Sequence, residues 1–176
     1  MAKLSAYNIA FKGLALGRHT YDYHVDKRFF DYFDGGLAND GEVDVKVKLE
    51  KESSLMILWF SVNGTVDVQC DRCLDRYMQT VKSENRVFVK FGEEKRQEED
   101  DIIWLGATDS LLNVAKLIYD FIILSLPARQ VHPDDAEGRS TCNPDMLRRL
   151  EALSVQERPG KHADKRWDKL KDILND

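Results

Sequence analysis

Cys70-Asp71-Arg72-Cys73 sets two thiols one turn apart at the end of an alternating β pattern. A C-x2-C turn brings both sulfurs onto one point, which is half of a tetrahedral zinc site. The other half must come from far downstream, where the remaining cysteine, Cys142, follows His132 in one loop. Between Cys73 and His132 lie 58 residues. Cys142 stands before an expected helix N-terminus, where the dipole favours thiolate, and His132 precedes Pro133 in an extended loop. Cys70, Cys73, His132 and Cys142 are therefore the candidate metal ligands, with structural zinc as the ion. No hydrolase triad, glycine-rich phosphate loop or carboxylate pair competes with them.

Other readings of the same residues stay open. Cys70 and Cys73 could be inert reduced thiols, or a redox dithiol. A thioredoxin-type C-x-x-C opens a helix after a strand, whereas the sequence here reads β on both sides of Cys70. His132, beside Asp134 and Asp135, also reads as an ordinary loop histidine, and His19, His24 and His162 have no evident partners. At the knuckle, Arg72, Arg76 and Tyr77 could contact phosphate and stack on a base, or meet a protein partner. The same trio also reads as a solvated turn whose ion pairs contribute well under about 1 kcal/mol each.

These residues need a scaffold. Val43, Val45, Val47 and Leu49 alternate with Asp44, Lys46, Lys48 and Glu50, the signature of a half-solvated strand. Leu55–Val62 is apolar on both faces and reads as a central strand, with Asn63-Gly64 as a turn signal. Tyr77–Val81 and Arg86–Phe91 continue in β fashion, Ile102–Leu105 reads as a short strand, and Leu4–Phe11 as a weak one. Asp26 is placed to cap a short helix bearing Phe29, Phe30 and Phe33, closed by Asp34-Gly35-Gly36. A long core helix is expected over Leu111–Leu126, capped by Asp109 or Ser110 and ended by Pro127, with most of its circumference buried. Asn143-Pro144-Asp145 opens another helix, faced by Leu147, Leu150 and Leu153. The expected architecture is α+β: a curved antiparallel sheet packed on one long buried helix, with peripheral C-terminal helices. Residues 1–153 form one domain, 154–163 a linker, and 164–176 an amphipathic helix presenting Trp167, Leu170 and Leu174.

At 176 residues the chain can bury a proper core. Its net charge of −5 gives no general attraction to nucleic acid or anionic lipid. Residues 1–147 hold 18 Lys+Arg against 25 Asp+Glu, or −7, and residues 148–176 hold 8 against 6, or +2. Contact with a polyanion would have to be local. The stretch 92–101 has six acids and two bases, the composition of a solvated loop. Three cysteines are too few for a disulfide scaffold, and no signal peptide or comfortable membrane span is evident, so a reducing cytoplasm is the expected compartment.

Taken in order, Cys70-Asp-Arg-Cys73-Leu74, an acidic loop, an apolar helix closing in Leu-Ser-Leu-Pro127, then His132, Cys142 and Asp164-Lys-Arg-Trp167-Asp-Lys-Leu170 resemble the bacterial YceD family. This is the group described as large ribosomal RNA subunit accumulation proteins. The resemblance spans roughly residues 40–174. It implies a non-enzymatic role in ribosome biogenesis, with ribosomal RNA or a large-subunit ribosomal protein as partner and neither a membrane nor a small-molecule substrate. The family's gene often neighbours that of a zinc-binding large-subunit ribosomal protein. Where many relatives place a second cysteine cluster after the L-x-L-P helix, this chain has His132 and Cys142.

Overall fold

The computed structural model describes residues 4–33, 36–92, 102–106 and 108–154. The chain divides into two compact units, residues 1–142 and 143–176. The first unit holds strands β1 (Asn8–Ile9), β2 (Gly17–Val25), β3 (Asp40–Lys51), β4 (Leu55–Gln69), β5 (Arg76–Phe91), β6 (Ile102–Leu105) and β7 (Leu112–Asn113). It also holds helices α1 (Lys27–Phe30) and α2 (Ala115–Leu124). In the second unit α3 (Pro144–Leu153) starts as expected, Asn143 accepting from the backbone N–H of Asp145 and Met146 with Pro144 in the first turn.

The sheet runs β2-β3-β4-β5-β6, antiparallel throughout except that β6 lies parallel to β5. This is a mixed, mostly antiparallel α+β fold. The alternation of β3 translates directly into packing, with Val43, Val45, Val47 and Leu49 all buried. On β4 the inner face is Met56, Leu58, Phe60, Val62, Val66 and Val68, all essentially without exposure. Against this face lie α2, through buried Ala115, Ile118 and Ile122, and α1, through Phe29 and Phe30. Phe121 of α2 meets Phe60 with ring centroids 5.0 Å apart.

Four expectations need correction. The expected helix Leu111–Leu126 is only ten residues long, because Leu112 and Asn113 pair with Ile9 and Asn8 and the Asn113 side chain then caps Ala115. Nor is most of its circumference buried: Ala115, Ile118 and Ile122 are, but Leu124 is 74% exposed, and Lys116 and Asp120 of the expected polar stripe pair on its outer side. The weak strand Leu4–Phe11 shrinks to Asn8–Ile9 between two 3-10 turns. Asn63-Gly64 makes no turn; β4 runs straight through it, as β5 runs through residues 82–85. Gly64 is there for close approach, since a Cβ would fall 2.3 Å from the Glu42 carbonyl oxygen of the neighbouring strand. Strand β2 has no counterpart in the sequence reading. Its half-buried positions are His19, Tyr21 and Tyr23, so its alternation is aromatic rather than aliphatic. The closure at Asp34-Gly35, most of the acidic loop, the linker beyond residue 154 and the helix 164–176 lie outside the described residues.

Gly64→Ala should cost about 2–3 kcal/mol in chemical denaturation, as overpacking against a fixed backbone does. Gly13→Ala, where nothing lies within 4 Å of the added carbon, should stay within about 0.5 kcal/mol.

Candidate metal centre

The two longest strands, β4 and β5, form a hairpin roughly 50 Å long, and its end loop is the C-x2-C knuckle. The Cys70 N–H donates to the Asp75 carbonyl at 2.9 Å and the Leu74 N–H to the Cys70 carbonyl at 2.9 Å, closing a tight turn. The Arg72 N–H points at the Cys70 sulfur, 3.4 Å away. Leu74 carries the left-handed residue of this turn, with φ +64°.

The second pair of ligands arrives from α2. Beyond the end of α2, the chain runs to Gln130, where it is tied to the knuckle twice: the Asp71 N–H donates to the Gln130 carbonyl, and the Gln130 N–H donates to the Asp71 carboxylate, each at 2.7 Å. That places His132 two residues further on. Residues Pro133–Thr141 then form a small hairpin held by Asp135, whose carboxylate accepts from the backbone N–H of Arg139 at 2.7 Å and Glu137 at 3.0 Å. Those amides, that of Arg139 first, hold the Asp135 carboxyl below its usual range. The Thr141 hydroxyl donates to the Pro133 carbonyl, and Gly138 takes φ +77° at the tip. The base of this hairpin is His132 beside Cys142.

All four sequence-derived ligands therefore converge. Their ligand atoms lie within 4.8 Å of one another, with the Cys70 and Cys142 sulfurs 3.8 Å apart. His132 Nδ1 is 3.4 Å from the Cys73 sulfur and 3.8 Å from the Cys142 sulfur. The edges of a zinc tetrahedron are about 3.8 Å between thiolates and about 3.5 Å between thiolate and imidazole, from the ordinary bond lengths. The donor set fits the ion in both chemistry and spacing. The cysteines are free and buried, at 0%, 1% and 4% exposure for Cys70, Cys73 and Cys142.

The electrostatics point the same way. Burial pushes the Cys70 thiol up, but backbone N–H groups of Cys73, Arg72 and His132 aimed at its sulfur outweigh this and bring it down to about 6. Cys142 moves up, by burial first and then by Cys70 alongside. Without a cation, one thiolate and its neighbours crowd a buried site; a divalent ion removes that repulsion and favours thiolate at every sulfur.

Of the expected contact residues, Arg76 is engaged on the sheet, bonding the Asp67 carboxylate at 2.6 Å and its carbonyl at 3.0 Å. Tyr77 packs its ring on His132, centroids 4.6 Å apart, and donates its hydroxyl to Gln79 at 2.9 Å. It thereby orients the imidazole. Arg72 is half-buried and, among the described residues, its guanidinium makes no bond. The role of Asp71 was not legible in the sequence, because nothing there places Gln130 opposite it. His24, without evident partner in the sequence, lies between Glu42 and Asp44, at 2.8 and 2.9 Å.

Protein purified without chelator should carry about one zinc per chain, and Cys73→Ser should lose it. Stripping the ion should lower the melting temperature by about 10 °C if free zinc had stood a thousandfold above its Kd. Asp71→Ala should weaken zinc binding about 10–100-fold through misplacement of His132. Asp71→Asn, which keeps an acceptor oxygen, should retain most of the affinity in a competition titration with a chromophoric chelator.

No curated protein and no solved structure matches the chain. The family model described as "Large ribosomal RNA subunit accumulation protein YceD" matches residues 58–174, a span that begins inside β4 and takes in all four candidate ligand side chains. The chain belongs to the YceD family.

Proposed function

We propose that this protein is a non-catalytic cytoplasmic factor that supports accumulation of large-subunit ribosomal RNA, with Cys70, Cys73, His132 and Cys142 holding a structural zinc ion. The observation that supports the reading is the closed donor set: three sulfurs and one imidazole nitrogen lie within 4.8 Å of one another, as four ligands of one ion would. A catalytic zinc keeps one position for water or substrate, and here four protein groups are in place for four positions. The ion's work is then mechanical, pinning the chain after α2 onto the β4–β5 hairpin. The family's description supports the process, with ribosomal RNA or a large-subunit ribosomal protein as partner.

A thiol–disulfide activity would draw on the lowered Cys70 thiol. It would also need that sulfur to meet a substrate disulfide, and Cys70 is fully covered. Insulin reduction should accordingly stay at background.

Deletion of the gene in its own organism should lower the ratio of large- to small-subunit ribosomal RNA. The wild-type copy should restore it, and Cys73→Ser should restore it only in part, in step with its lower protein level. An unchanged ratio in the deletion strain would overturn the proposed role. Full restoration by a metal-free Cys73→Ser protein would remove zinc from it.

A further inference from the structure

The face of the sheet turned away from α2 carries a second, different chemistry. Ile57 and Trp59 of β4 and Phe88 of β5 sit there half-buried, and register sets Ile57 opposite Phe88 and Trp59 between Lys48 and Arg86. A groove of about 730 Å³ runs past Trp59. Its walls include Arg18, Lys46, Lys48 and Arg86 against Glu50 and Glu84, a local +2 on a chain of −5. A molecule that repels polyanions in general thus gathers cations around an accessible indole.

Those cations are available. The Arg86 guanidinium lies over the Phe88 ring, 4.8 Å from its centroid, and neither it nor Lys48 makes an ion pair among the described residues. Arg18–Glu50 and Lys46–Asp22 are exposed pairs at 3.3 and 3.6 Å, of the kind worth little against water and readily exchanged for phosphate. A second cation–ring pair follows on the same face, Lys90 over Trp104 at 5.5 Å, roughly 13 Å along β5 from the first.

Protein-docking patches are depleted in lysine and acids at their centre, whereas here Lys46, Lys48, Glu50 and Glu84 line the groove beside Trp59. That setting of rings among cations suits a strand of unpaired bases, which stack on rings and guanidinium planes while lysines track the backbone. We infer that this sheet face binds single-stranded RNA, with Trp59 and the Arg86–Phe88 pair stacking on bases and Lys48 and Lys46 holding phosphates. The inference deepens the function proposed above, and its choice of RNA among polyanions rests on that reading.

The test is titration of the full-length, zinc-loaded protein into a fluorescently labelled oligouridine of roughly ten nucleotides, followed by anisotropy at several salt concentrations. Wild type should bind, more weakly as salt rises. Trp59→Ala should lose about tenfold in affinity. The double variant Lys48→Glu/Arg86→Glu, which removes one phosphate contact and one stacking cation, should lose at least as much and show a salt slope shallower by about 0.7. Lys116→Gln on α2 should bind as wild type. Zinc content and melting temperature establish that each variant is folded, and the charge variant keeps the test valid should Trp59→Ala fail to fold. No binding by wild type, or wild-type affinity in both variants, would overturn the inference, as would binding of a large-subunit ribosomal protein to this face in place of RNA. The two readings fail separately: the cellular role is lost on an unchanged RNA ratio in the deletion strain, the sheet-face assignment on unchanged affinity in the variants.

Discussion

The 3.8 Å contact between the sulfurs of Cys70 and Cys142 is where one end of the molecule is held together. One sulfur belongs to the tip of a hairpin and the other to the base of a loop, and the two are 72 residues apart. Segments so distant pay loop-closure entropy that grows only slowly with length, so one strong cross-link contributes more than several weak contacts spread between them. The loop's surroundings offer it little else to pack against: Pro127, Ala128, Arg129, Pro133 and Asp134 are all exposed. An ion held by these four groups, as proposed, would supply the missing cohesion without a larger core.

The elements around the site bring the four candidate ligands together. The hairpin of β4 and β5 is stiff because its inner face is buried along its length, from Met56 to Val68. Its closing turn accepts a left-handed leucine, and it aims backbone amides at the Cys70 sulfur. Asp71 clasps the passing chain at Gln130, and Tyr77 flanks the imidazole. A second, smaller hairpin organised by Asp135 sets the spacing of His132 and Cys142. The supporting residues are polar and shallow, as befits groups that orient a ligand rather than fill space.

The same sheet separates two chemistries. Its inner face is apolar, aliphatic on β3 and mixed with aromatic rings on β2 and β4, and carries the fold, while its outer face alternates cations, acids and half-buried rings. A charge of −5 spread over the whole chain conceals this, because what a polyanion meets is the local field within about one Debye length.

Period-2 alternation was enough to read β3, and the Asn-Pro-Asp signal enough to read the start of α3, since both depend on neighbours in sequence. The four ligands were legible for a similar reason: few residue types bind zinc, and this chain has three cysteines in all. The family likewise followed from their order. What one-dimensional pattern misread was long-range. Asn63-Gly64 looks like a turn until β3 and β5 flank it, and Leu112-Asn113 looks helical until Asn8 pairs with it. Strand β2 stayed hidden because its inward positions are His19 and tyrosines, which become apolar surface only once a neighbour covers their rings. Whether two thiols at 70 and 73 would meet an imidazole at 132 and a thiol at 142 was decided by the tertiary structure alone, through hydrogen bonds between segments that the sequence holds 59 residues apart.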